Sequence, residues 1–83
     1  MERYKVDRCI MTCSACPSQW DIYTDKDEYI YARYRWGVLT LTLYPMRHGI
    51  ELYRERIGDE FDGVMDTDEL MKLTASVLDW SEV

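Results

Sequence analysis

The feature that most constrains this chain is a strict two-residue alternation across residues 29–44, interrupted once by a glycine. From Tyr29 to Trp36 the positions Ile30, Ala32, Tyr34 and Trp36 fall on one side, and Tyr29, Tyr31, Arg33 and Arg35 on the other. Successive side chains of an extended chain point to opposite faces, so such a segment has an apolar and a polar side only as a strand. Gly37 then turns the chain into 38–44, where Leu39, Leu41 and Leu43 repeat the apolar side. Two β-rich runs joined at a glycine predict an antiparallel hairpin with one buried face.

An isolated hairpin is marginally stable in water, so its neighbours must extend and cover it. Upstream, Trp20-Asp21-Ile22-Tyr23 reads as a strand and Thr24 to Glu28 as a polar turn. Downstream, Pro45 and Gly49 bracket a loop holding Met46, Arg47 and His48, and 50–57 reads as a further strand. Its faces conflict, because Ile50 and Leu52 point one way while Tyr53 and Ile57 point the other. A bulge or an edge position reconciles them. Residues 3–10 fit a strand with Tyr4, Val6 and Ile10 on one side, whereas Cys9 to Pro17 reads as a tight turn or short helix.

Beyond an acidic loop at 58–65, Asp66, Thr67, Asp68 and Glu69 have the character of a capped helix start. Leu70, Leu73, Thr74, Val77 and Leu78 follow the helical i, i+3, i+4, i+7, i+8 template, with Trp80 on the same side. The expected fold is therefore α+β. A three- to four-stranded antiparallel β-meander over about 19–57 is packed by one C-terminal α-helix over about 67–80. With 83 residues, 47% of them hydrophobic, the chain fits one small domain across 1–83.

Three cysteines in the string Cys9-x3-Cys13-x2-Cys16 match the spacing that holds a four-iron cluster in radical enzymes. A chain this short has no room for the barrel such chemistry needs, so the match is discounted. Cys13 and Cys16 are also half of a structural zinc site, with Cys9 as a third ligand and His48 as a fourth. The alternative is that the thiols are small buried fillers beneath Trp20. No nucleophile–base pair and no phosphate-binding glycine loop is present in the sequence, so a non-catalytic protein is expected.

Charge is distributed unevenly. Residues 1–57 hold nine Lys/Arg against eight Asp/Glu, while 58–83 hold one lysine against eight acids, in a chain of net charge −6. Asp59, Glu60, Asp62, Asp66, Asp68 and Glu69 crowd one loop and helix start, a surface suited to a partner bearing a basic site. Tyr29, Tyr31, Arg33 and Arg35 form the opposite kind of surface, since aromatics alternating with arginines on a strand can stack bases and bind phosphates. The overall acidity weighs against direct nucleic-acid contact and for a solvated Tyr/Arg face, with Glu51 and Glu55 opposite it. No secretory or membrane-spanning segment is evident, and a cytoplasmic location without membrane contact is expected.

Around Cys13-Ser14-Ala15-Cys16-Pro17-Ser18-Gln19-Trp20 and Tyr31-Ala32-Arg33-Tyr34-Arg35-Trp36-Gly37 the chain resembles small phage and actinobacterial proteins that share a C-P-x-Q-W segment and a Y-x-R-Y-R-x-G strand. The resemblance covers roughly residues 13–43 and implies a phage or mobile-element origin. By analogy it implies an inhibitor of a host complex, of the anti-CRISPR kind, that occupies a basic site on a host protein. The other expectation is a zinc-stabilised module that touches nucleic acid through Tyr29, Tyr31, Arg33 and Arg35.

Overall fold

The computed structural model of the protein describes residues 3–45 and 47–83. Along the chain run β1 (Tyr4–Ser14), β2 (Ser18–Thr24), β3 (Tyr29–Arg35), β4 (Val38–Tyr44), β5 (Ile50–Arg56), α1 (Thr67–Leu73) and β6 (Leu78–Asp79). The strands form one sheet in the order β5-β4-β3-β2-β1-β6. Sequential strands pair antiparallel, whereas β6 lies parallel to β1. The expected three- to four-stranded meander with a helix over 67–80 is corrected by this architecture. The protein is mostly β, a curled mixed sheet of six strands with one seven-residue helix.

Two segments make the difference. β1 continues for 11 residues through Cys9 and Cys13, where a turn or short helix was expected. It can do so because β2 offers a complete partner, from Val6 opposite Thr24 to Ser14 opposite Ser18. The register slips between Val6 and Arg8 and again between Met11 and Cys13, leaving Asp7 and Thr12 as extra residues in bulges. Those slips hide the strand's alternation in the sequence, and Ile10 ends up 46% exposed rather than beside Val6 in the core.

At the other end, the helix stops at Leu73. Asp66 caps its start, accepting from the Glu69 amide at 2.8 Å. The buried Thr74 caps its end, and its hydroxyl donates to the Leu70 carbonyl at 2.7 Å. Thr74, Ser76 and Val77 all favour helix less than Ala or Leu, and the amides of Val77 and Leu78 both turn back to the Thr74 carbonyl. Leu78–Asp79 then pairs with Tyr4 and Lys5. Leu70, Thr74 and Leu78 are fully buried and Leu73 and Val77 pack against the core, so the helical template did mark inward positions. A helix of about two turns and a strand place them there.

β2, β3 and β4 carry the core as the alternation predicts. Trp20, Ile22, Ile30, Ala32, Tyr34, Leu39 and Leu41 are all at most 1% exposed. Full burial of an aliphatic side chain of this size is worth about 1.5–3 kcal/mol, so this face dominates stability. Met65, Leu70 and Leu78 cover it. The Trp20 indole N–H donates to Thr67 Oγ1 at 3.0 Å, fixing the start of α1 over the sheet. β5 is an edge strand with a register shift opposite Leu41/Thr42, which makes Leu52 the extra residue. Leu52 and Tyr53 therefore both reach the core, resolving the conflict of faces.

Trp36 is the exception to the alternation. It shares a two-residue turn with Gly37, and both have positive φ, +53° and +74°, as a type I′ hairpin turn demands. Trp36 is thereby swung out to 59% exposure. A side chain at Gly37 would collide with the carbonyl oxygens of Gly58 and Asp59, because the 58–65 loop crosses directly over this turn. The Gly37 amide donates to the Asp62 carbonyl at 2.7 Å, and the amides of Cys16 and Ser18 both donate to the Gly63 carbonyl. Among the described residues no helix is long and apolar enough to cross a membrane.

Candidate nucleic-acid interface

Residues paired across a sheet share a face, so the register assembles the polar side of the sheet row by row. The first row runs Arg8, Tyr23, Tyr29, Tyr44 from β1 to β4. The second runs Ile10, Asp21, Tyr31, Thr42, Glu51. The third runs Cys13, Gln19, Arg33, Thr40, Arg54, and the last Arg35, Val38, Arg56. This one face gathers four tyrosines and five arginines against two carboxylates. The tyrosines sit toward one end of the strands and four of the arginines toward the other.

The tyrosine row is a continuous aromatic surface. Tyr23 and Tyr29 have ring centroids 5.5 Å apart, Tyr29 and Tyr44 are stacked at 5.9 Å, and Arg8 lies 4.5 Å over the Tyr23 ring. The Tyr29 hydroxyl donates to Asp21 Oδ1 at 2.7 Å, which fixes the ring and engages the carboxylate in the middle of the face. Burial, and then this bond to Asp21, push the Tyr29 phenol well above the usual tyrosine value; burial chiefly raises Tyr31 as well. Both rings therefore stay neutral at physiological pH.

The other end is cationic. Arg33, Arg35 and Arg54 surround a hollow of about 270 Å³ with Trp36, Val38 and Thr40. Arg54 pairs with Glu51 at 2.7 Å, but both side chains remain about half exposed, so this pair is weak and easily exchanged. Arg35 lies 4.4 Å over the Trp36 ring.

The acidic candidates occupy the 58–65 loop and the start of α1, not this sheet face. Three of them are built into the fold. Asp62 Oδ2 accepts from the Tyr34 hydroxyl at 2.6 Å, Asp66 caps α1, and Asp59 Oδ1 accepts from the Phe61 amide at 2.9 Å. Glu60, Asp68 and Glu69 are exposed. Phe61, between Glu60 and Asp62, is 87% exposed.

The proposed zinc ligands do not converge. Cys9 and Cys13 lie four residues apart along an extended strand, about 13 Å, whereas ligands of one zinc ion sit about 2.0–2.3 Å from the metal. His48 follows β4 at the Tyr44 end of the sheet, while Cys13 and Cys16 lie at the opposite end, beside Ser18. Among the described residues no three of His, Cys, Asp and Glu are grouped to hold a metal ion. Cys9 packs against the core and Cys16 is exposed.

The sequence pointed to Tyr29, Tyr31, Arg33 and Arg35, which do share this face, but not to Arg8, Tyr23, Tyr44, Arg54 and Arg56. The period-two pattern of β2 and β4 contains Tyr23 and Tyr44; their place beside Tyr29 follows only from the register. Of the two glutamates expected opposite, Glu51 lies on this face, whereas Glu55 pairs with the buried Leu39 and lies on the other. In comparison with known proteins, no family model, no curated protein and no solved structure matches the chain.

Proposed function

We propose that the polar face of the sheet binds single-stranded nucleic acid. Bases stack on the row Tyr23, Tyr29, Tyr44 and on Tyr31, and the backbone lies along Arg33, Arg35, Arg54 and Arg56. The observation that carries this reading is the register, which sets an aromatic row beside an arginine cluster on one exposed face. Stacking of this kind tolerates any base, and arginines supply the salt-dependent attraction to phosphate. The net charge of −6 is no obstacle, since the surplus acids lie on the 58–65 loop and the start of α1, and the strands of this face carry only Asp21 and Glu51 among its arginines.

The test is titration of labelled single strands at low salt, followed by fluorescence anisotropy. Saturable binding is expected, weakened by about 1–3 kcal/mol for Tyr31→Ala or Tyr44→Ala. Absence of saturable binding to any single strand removes the reading.

A second reading has its own observation, the projecting Phe61 beside Glu60. In it, a phage- or mobile-element-encoded inhibitor seats this loop on a basic site of a host protein, with Phe61 as anchor. Glu60→Lys together with Phe61→Ala should abolish capture of the host complex, whereas Tyr31→Ala should leave that capture intact. Capture unaffected by both changes removes this reading.

A further inference from the structure

A hollow of about 690 Å³ opens where the arginine end of the sheet meets the loop that crosses it. Arg35, Trp36, Arg56, Glu60, Phe61 and Asp62 line it, the last with one carboxylate oxygen taken up by the Tyr34 hydroxyl. It continues the arginine cluster, because Arg35 and Trp36 also border the smaller hollow on the sheet face. Its volume lies in the range of small-ligand sites.

Its chemistry is specific. Trp36 is held in the left-handed region, at φ +53°, a conformation that bulky residues rarely adopt and that concentrates at functional sites. The cost places a large ring in solvent, where Arg35 covers one of its faces. Phe61, from the crossing loop, presents a second exposed ring to the same hollow. Arg56 is steadied by donation to the Gly58 carbonyl at 3.4 Å, and Arg35 lies over the Trp36 ring with no ion-pair partner among the described residues, so both have N–H donors left for an anion. Glu60 is exposed and forms no ion pair among the described residues.

We infer that this hollow is a single-nucleotide pocket for guanine nucleotides, with the base between Trp36 and Phe61, its Watson–Crick edge on Glu60 and its phosphate on Arg35 and Arg56. Guanine alone among the four bases offers two adjacent N–H donors on that edge, the match for a carboxylate acceptor. Such a nucleotide is either the end of a strand that lies on the sheet face or a free mononucleotide. Only the first source rests on the proposed single-strand function.

Equilibrium dialysis against GMP, AMP, CMP, UMP and inorganic phosphate tests the pocket. GMP should bind about tenfold more tightly than the other nucleotides, the worth of one good bidentate contact. Phe61→Ala should weaken GMP by about tenfold through the lost stack, and Glu60→Gln should erase the preference for guanine while retaining nucleotide binding. Neither residue supports the core, and a circular single strand, which has no end to insert, should bind both variants as it binds the parent. A circular strand that fails to bind while GMP succeeds removes the sheet-face function and leaves the pocket standing. Tighter binding of an oligonucleotide with a phosphorylated terminal guanosine than of GMP identifies the strand end as the source; equal binding identifies the free nucleotide. No saturable GMP binding, inorganic phosphate binding as well as GMP, or a guanine preference unchanged in Glu60→Gln overturns the proposal.

Discussion

The hydroxyl of Tyr34 donates to Asp62 Oδ2 at 2.6 Å, so a tyrosine only 1% exposed in the middle of the sheet holds the acidic loop from beneath. Burial first, and this bond second, push the Tyr34 phenol up to about 12 from its usual 10.0. The fold thus holds the neutral phenol, and the unfolded chain gives up its proton at lower pH. Stability should be full below pH 10 and should fall as pH rises through about 12. Tyr34→Phe should flatten that part of the alkaline loss while costing about 1–2 kcal/mol at neutral pH, because Asp62 loses its donor. Urea midpoints at neutral and alkaline pH measure both effects.

The Trp36-Gly37 turn should separate stability from binding. Trp36→Asn installs the pair that type I′ turns favour and should raise stability by about 0.5–1 kcal/mol while emptying the pocket of its tryptophan. Gly37→Ala should do the reverse, costing at least about 2 kcal/mol, since positive φ and the carbonyls of Gly58 and Asp59 both oppose a methyl group. Thermal melts of the two variants should move in opposite directions from the parent.

The arginine cluster should be visible in the salt dependence. For single strands, each phosphate contact adds about 0.7 to the slope of log affinity against log salt. Arg33→Gln and Arg35→Gln should each lower the slope by about that amount, whereas Lys72→Gln, on α1 behind the sheet, should leave it unchanged. Equal slopes in all three variants would contradict a backbone track along β3.

The C-terminal turn should depend on one hydroxyl. Thr74 Oγ1 accepts from the Trp80 indole N–H at 3.0 Å and donates to the Leu70 carbonyl. Thr74→Val keeps the volume but leaves that indole donor without its partner, and should cost about 1–3 kcal/mol. Leu78→Ala, at a fully buried position, should cost about 2–5 kcal/mol. Denaturant midpoints with unchanged slopes would show that both act on stability rather than on compactness.

The cysteines should differ in reactivity despite their close spacing. Burial, with Asp21 a lesser cause, pushes the Cys9 thiol up to about 11, so little thiolate exists there at neutral pH. Cys16 is exposed. Alkylation followed by mass spectrometry should label Cys16 first and Cys9 last. Equal rates would show that β1 opens readily along its cysteine half.

Where backbone pairing and side-chain pattern agreed, the fold was legible. Leu39, Leu41 and Leu43 alternate with threonines in a strand that keeps its register with β3 throughout, so nothing local contradicted the global answer. β1 was obscured beyond Cys9 because its bulges at Asp7 and Thr12 break the two-residue period. β6 was obscured for a different reason. Val77 and Leu78 satisfy a helical spacing from Leu70 and Leu73, and only the parallel pairing with Tyr4 distinguishes a two-residue strand from another helical turn. The proposed binding face was half legible, since Tyr29, Tyr31, Arg33 and Arg35 lie on one strand. Arg8, Tyr44, Arg54 and Arg56 join them through long-range register, which no local pattern encodes.

The pairing of Tyr4 with Leu78 also has a consequence for synthesis on the ribosome. The outer edge of β1 gains its β6 partner, at Tyr4 and Lys5, only when residues 78 and 79 have emerged, so a nascent chain carries an open, templating edge for most of its translation. The exposed charges of Asp7 and Arg8 lie just beyond the stretch that β6 covers and would discourage pairing of that edge with a neighbouring nascent chain.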